Sequence, residues 1–213
     1  MKLSICMAMI LISSCQTMKK NIYDNASKQE MQSFKKVILP FLPGTQFKIS
    51  QGAFGSKSHH EIGNEYSWDF DVPFGTPVAA VEAGKVFSVW QPDVNGGCES
   101  KFSNSAHNIK IEHSDGTIAQ YVHIQTDLKE GTVVTKEQVI ASTAKNGWIC
   151  QPQLHFGIYA SKNQLYESPN RKTIPLVFEN LPEGVAKEGL TATTVISKIE
   201  SKVKNQFNGD TIK

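Results

Sequence analysis

Four separated pieces of the chain carry side chains suited to hydrolytic chemistry. They are His59 in Ser58-His59-His60, Asp69 in Trp68-Asp69-Phe70-Asp71, His123 in Tyr121-Val122-His123, and His155 in Gln153-Leu154-His155-Phe156. Each piece offers one candidate ligand or base, so none is a metal motif alone. Two histidines, an aspartate and a spare histidine together have the donor set of a catalytic zinc site. His59 and His60 compete for one ligand position. If residues 153–157 form a strand, side chains 153 and 155 share a face, and Gln153 stands beside the metal where a second base is expected.

Each of these residues also has a plainer reading. His155, between Leu154 and Phe156, suits a hydrogen-bonded histidine on a half-buried strand. Asp69 could cap a turn, although its place between two aromatics favours a strand on which it faces away from them. His107 and His113 flank a strand and are expected at the surface.

The surrounding pattern is one of short strands separated by glycine-bearing turns. Residues 47–50 alternate apolar and polar before a glycine loop over 52–65, and residues 78–89 read as two strands around Glu82-Ala83-Gly84. Residues 108–112 and 118–122, joined through Ser114-Asp115-Gly116-Thr117, predict a hairpin. Residues 93–105, rich in Asn, Gly and Ser, predict a surface loop. A strand at 139–141, a loop from Asn146-Gly147 through Cys150, and a closing strand near 172–178 follow. No convincing long helix separates these pieces, which points to a mainly β, antiparallel domain. A short amphipathic helix is expected around residues 29–37, and one surface helix in the tail from residue 190, where Val195, Ile196, Ile199 and Val203 have helical spacing.

With 213 residues, 39% of them hydrophobic, the chain can bury the core of one domain. A formal charge of +2 with scattered lysines argues against a nucleic-acid role. Lys2, the apolar run 5–12 and Ser13-Ser14-Cys15 read as an export signal over residues 1–14. Leu11-Ile12-Ser13-Ser14-Cys15 resembles a bacterial lipobox, with Cys15 as the lipidated residue, a tether over 15–36, and Gln16 favouring an outer-membrane anchor facing the periplasm. An ordinary cleaved signal ending near a cysteine is the alternative. In an oxidising compartment the remaining Cys98 and Cys150 form an even pair suited to a disulfide, against the alternative of two free thiols.

The catalytic pieces and their flanks resemble a known family. The matching segments are His59 with Asn64-Glu65-Tyr66-Ser67-Trp68-Asp69-Phe70, then Pro73-Phe74-Gly75-Thr76-Pro77-Val78 with Ala80, Gly84 and Val86, then residues 108–113 with Asp115-Gly116, Tyr121-Val122-His123, and Leu154-His155-Phe156. In this order they are similar to the lysostaphin-like zinc metallopeptidases that cut peptidoglycan cross-bridges. The likeness covers residues 37–180, with 181–213 as a C-terminal extension. It implies a sandwich-like duplicated hybrid motif with a groove over the sheet. It also implies Zn²⁺ held by His59, Asp69 and His155, and His123 as a catalytic non-ligand histidine. A second such histidine belongs two residues before the last ligand, where this chain has Gln153.

That departure leaves two functions open. A glutamine amide has no usable pKa and can only orient by hydrogen bonds, and losing one proton-transfer group typically slows a reaction about 10²- to 10⁴-fold. The resemblance implies a zinc-dependent endopeptidase hydrolysing amide bonds of peptidoglycan peptides or cross-bridges. Gln153 alone suggests a catalytically attenuated envelope protein that binds peptidoglycan or activates a cell-wall amidase. An exported peptidase acting on proteins or peptide bacteriocins is a third, weaker option. The expected partners are peptidoglycan and, through the lipid anchor, a membrane.

Overall fold

A computed structural model describes residues 28–166, 171–181, 184 and 186–195. A one-turn helix, α1 (Lys28–Met31), leads into strand β1 (Lys35–Val37), β2 (Gln46–Gln51), β3 (Ser67–Asp71), β4 (Pro77–Ala79) and β5 (Gly84–Trp90). The hairpin β6 (Asn108–His113) and β7 (Ile118–Val122) follows, then β8 (Ile124–Gln125), β9 (Val133–Val134), β10 (Val139–Thr143) and β11 (Gln153–Tyr159). Helix α2 (Lys162–Tyr166), β12 (Leu176–Phe178) and β13 (Thr191–Thr193) close the described chain.

Eight strands make one antiparallel sheet in the order β13-β2-β3-β11-β7-β6-β5-β9, and β4-β10-β8 form a smaller antiparallel sheet. Alternation decides which face is buried. Trp68 and Phe70 of β3 and Leu154 and Phe156 of β11 point into the core, where Trp68, Phe70 and Phe156 meet Phe178 of β12 edge-on or tilted. Asp69, Gln153 and His155 therefore stand on the other face, over which the groove lies. The hairpin turn needs a left-handed residue, and Gly116 supplies it at φ 83° while its N–H donates to His113 O.

The fold extends past both expected borders. Lys35 and Lys36, expected to lie in a tether, instead join Val37 in a strand that pairs in parallel with β12, and the helix expected over 29–37 is limited to α1. Beyond residue 180, Leu181 and Ala186 are buried, Trp68 Nε1–H donates to Ala186 O at 2.8 Å, and β13 adds to β2 at the sheet edge. The first residues of the tail form a strand over Thr191–Thr193, where β-branched threonines suit an edge and Thr194 N–H and Gly44 N–H close the pairing onto Thr45 O and Thr194 O. Residues 196–213 of the helix expected in the tail, and the export signal with Cys15, lie outside the described residues.

His113 is buried, contrary to the surface position expected. Its Nδ1 lies 2.9 Å from Thr117 Oγ1, whose hydroxyl donates to Asp115 Oδ1, and Lys35 Nζ bridges Asp115 and Glu82 at 2.7 Å each. Glu82, held by Lys35, also approaches His113 Nδ1 at 3.6 Å.

Candidate metal centre and groove

Three donor atoms converge at one end of the groove. His155 Nδ1 lies 2.8 Å from Asp69 Oδ1, and His59 Nε2 lies 3.3 Å from each of them. His59 Nδ1 faces Gly52 O at 2.9 Å, so that nitrogen carries the proton and Nε2 presents its lone pair inward. Three electron-rich atoms aimed at one point are stable only around a proton or a cation. His59 is fully buried there, whereas His60 is exposed.

Register sets this convergence. His155 and Asp69 are direct partners across β11 and β3, so their side chains rise side by side. His59 reaches them from the glycine loop, and Gln51 ties that loop down. By alternation with Ile49, Gln51 belongs to the core face, but an irregularity between Ile49 and Gln51 shifts the pairing so that Gln51 opposes Asp69. Its Nε2 donates to Asp69 Oδ2 at 2.9 Å and to Ser58 Oγ at 3.1 Å, and its Oε1 accepts from Lys57 N and Ser58 N at 2.9 Å. Gly55 packs on this side chain so closely that a Cβ would sit 2.2 Å from Gln51 Cγ. Sequence reasoning missed Gln51 as part of the site. The available signal was a polar residue in a buried phase of an alternating strand.

Asp69 experiences opposing effects. Burial pushes its carboxyl up, but hydrogen bonds and charge from His155 and His59 outweigh it and hold the group well below the usual carboxylate range.

His123 occupies an unusual backbone position. Alternation places it with Tyr121, in the core, yet at φ 61° the chain twists out of β7 and turns the ring toward the groove before β8 joins the smaller sheet. His123 Nδ1 lies 2.8 Å from Asn146 O, which assigns the proton to Nδ1 and leaves Nε2 for the groove. Burial, the largest influence, pushes its pKa down to about 4, so the ring is neutral at pH 7. Asn146 is itself fixed, since its side chain accepts from His107 N at 2.8 Å and donates to Ile124 O at 3.0 Å.

Gln153 lies in the groove beside His155, and its side chain makes no hydrogen bond to the described residues. The groove has a volume of about 490 Å³. Its rim carries Trp90 and Trp148, each 52% exposed. A Cys98–Cys150 disulfide joins the two rim segments, and Gly97 pairs with Trp148 across the same seam.

Residues 63–167 match the model described as Peptidase family M23. The chain carries a domain of that family. The match begins just after His59 and includes Asp69, His123, Gln153 and His155. The M23 domain is 32% identical over 96 residues to the glycyl-glycine endopeptidase ALE-1 of Staphylococcus capitis and 30% identical over 96 residues to lysostaphin of Staphylococcus simulans. These stretches are 44% of this chain but only 24% and 18% of the two relatives, so the chain spans about a quarter or less of their length. A solved structure of lysostaphin from Staphylococcus simulans aligns with 60% of this chain and 46% of its own at 24% identity, with a TM-score of 0.44.

Proposed function

We propose that this protein is a zinc-dependent endopeptidase that hydrolyses amide bonds in peptidoglycan peptides or cross-bridges. The observation that carries the reading is the convergence of His59 Nε2, Asp69 Oδ1 and His155 Nδ1 in a groove that also contains His123. Two imidazoles and a carboxylate fit Zn²⁺ and leave a coordination position for substrate or water. Bound there, Zn²⁺ supplies Lewis acidity that polarises a carbonyl and lowers the pKa of water to about 7. The M23 domain and its likeness to a glycyl-glycine endopeptidase support the reaction class.

The chain's own residues have distinct roles in this reading. Gly52 O fixes the His59 tautomer, and Gln51 holds Asp69 through the oxygen turned away from the centre. His123, neutral and oriented by Asn146 O, offers Nε2 as a proton acceptor, and once protonated it stabilises a developing oxyanion. Gln153 orients substrate or water by hydrogen bonding. Anchoring through Cys15 in the outer membrane, facing the periplasm, would hold the groove against the cell wall.

The purified protein is expected to release new amines from cell-wall sacculi, with loss of the activity on chelation and its return with zinc. Zinc-loaded protein that cleaves no cross-link type would refute the reading. A second reading, a non-catalytic envelope protein that binds peptidoglycan or activates an amidase, is favoured by Gln153 alone. Gln153→His separates them: a gain of about 10²-fold or more in cleavage marks an attenuated enzyme, and an unchanged rate means that His123 suffices.

A further inference from the structure

The sheet face beside the metal centre bears a second cluster that the hydrolytic chemistry does not use. His155, Val122, Asn108 and Trp90 stand in one register row across β11, β7, β6 and β5. The next row on the same face, two residues along each strand, is Gly157, Gln120 and Lys110, at about 7 Å from the first. Gly157 lets the neighbouring strand pack tightly on the floor there, since a Cβ would meet Ser67 Oγ at 2.7 Å. Arg171 lines the same groove, its stem packed on Gly63, where a Cβ would sit 2.4 Å from Arg171 Cγ.

Both cations are held by neutral acceptors. Arg171 donates through Nη2 and Nε to Tyr159 Oη at 2.6 and 3.2 Å, and Lys110 Nζ donates to Asn108 Oδ1 at 2.7 Å. Nearby carboxylates are engaged elsewhere, Glu112 with Lys162 at 2.8 Å and Glu65 with Gly63 N–H at 2.7 Å. Glu61 lies on the groove rim, exposed, and pairs with neither cation. Lys110 is tied to Asn108, which lines the groove with Arg171 and Gln120, and neither partly buried cation has an ion pair among the described residues, an arrangement that an arriving anion would relieve. Burial pushes the Lys110 pKa down and the Arg171 charge pushes it further, in keeping with their closeness. Arg171 keeps N–H donors in reserve, since two groups of its fork serve Tyr159, and a guanidinium binds a planar carboxylate in two-point fashion.

We infer that the Arg171–Lys110 end of the groove is a carboxylate subsite, so that this domain takes peptides bearing a free carboxyl group beside the scissile region in preference to neutral oligoglycine. The functional meaning rests on the endopeptidase reading; the recognition chemistry stands on the two cations. The carboxylate can come from a peptide C-terminus or from the α-carboxyl of a γ-linked glutamate, and the test separates these sources.

Binding of the synthetic peptide Ala-γGlu-Lys-Ala is measured by calorimetry against its C-terminal amide, its glutamyl α-amide, its diamide and pentaglycine amide. The free acid is expected to bind about 10- to 100-fold more tightly than the diamide, and the monoamide that loses this advantage identifies the carboxylate held. Raising salt narrows the difference. Arg171→Gln and, independently, Lys110→Met are expected to reduce affinity for the acid about 10-fold and to leave the diamide unchanged, with thermal unfolding showing that each variant is folded. Equal binding of acid and diamide, absence of binding by the acid, or an equal loss for both ligands in a folded Arg171→Gln variant overturns the subsite. Sacculus digestion on the same preparation keeps the readings apart: acid preference without cleavage removes the endopeptidase and keeps the subsite, and cleavage without acid preference does the reverse.

Discussion

Replacing Gln51 by leucine removes its amide while nearly conserving its volume, so the effect reports hydrogen bonds and not a cavity. Four bonds of 3.1 Å or shorter disappear, to Asp69 Oδ2, Ser58 Oγ, Lys57 N and Ser58 N. The bond to the Asp69 carboxylate is charge-assisted and buried, and contributes about 2 kcal/mol. Lys57 is exposed and Ser58 half-buried, so water replaces much of what their amides lose, and the loop bonds together contribute about 1 kcal/mol. The zinc-free protein should therefore lose about 3 kcal/mol of stability in urea denaturation. Because the same amide fixes one ligand and the loop carrying another, zinc affinity should fall roughly 10- to 100-fold in competition with a chromophoric chelator. Zinc affinity within twofold of the unmodified protein would mean that Asp69 and His59 hold their places without Gln51, and the reasoning would be wrong.

Other perturbations give equally definite expectations. Reduction of the Cys98–Cys150 disulfide, which spans 52 residues, should cost about 4 kcal/mol by freeing the unfolded chain, seen as a lower melting temperature with reductant; an unchanged melting temperature counts against it. His113 titration should be visible in stability. Burial depresses its pKa in the folded state, Lys35 adds to this, and Glu82 and Asp115 oppose. Below about pH 6.5 the unfolded chain therefore takes up a proton that the folded chain resists, and stability falls as pH falls, whereas above that pH this group contributes no slope. His113→Gln should reduce the slope between pH 6.5 and 5 in equilibrium denaturation, leaving the part that His123, depressed to about 4, contributes with the same sign, and an unchanged slope would refute a role for His113. His123→Ala should lower kcat/KM about 10²- to 10⁴-fold with zinc content unchanged, and loss of zinc instead would make His123 a ligand.

The strand positions were legible because one face of the sheet is buried, which forces the alternation around Trp68-Asp69-Phe70 and Leu154-His155-Phe156 to appear in the sequence. The Cys98–Cys150 pairing was legible from parity once an exported chain was expected. What alternation could not reveal lies where alternation fails. The irregularity after Ile49 moves Gln51 to the face of Asp69, and the positive φ at His123 rotates a residue that periodicity assigns to the core. His113 packs near Glu82, thirty-one residues away in sequence, and no local pattern contains that contact. At the tail, the helical spacing of Val195, Ile196, Ile199 and Val203 gave no sign that the threonines just before it would add an edge strand to β2.

The stapled rim has a consequence for anyone who wishes to retarget this groove. Its two segments come from distant parts of the chain, yet the disulfide and the Gly97–Trp148 pairing weld them into one unit. Gly96 fits the seam so closely that a Cβ would stand 2.4 Å from Asn146 Cα, the residue whose carbonyl orients His123. Exchanging either segment by itself would disturb the orientation of His123 before it reshaped the rim. Residues 91–107 and 144–152 have to travel together, as a cassette.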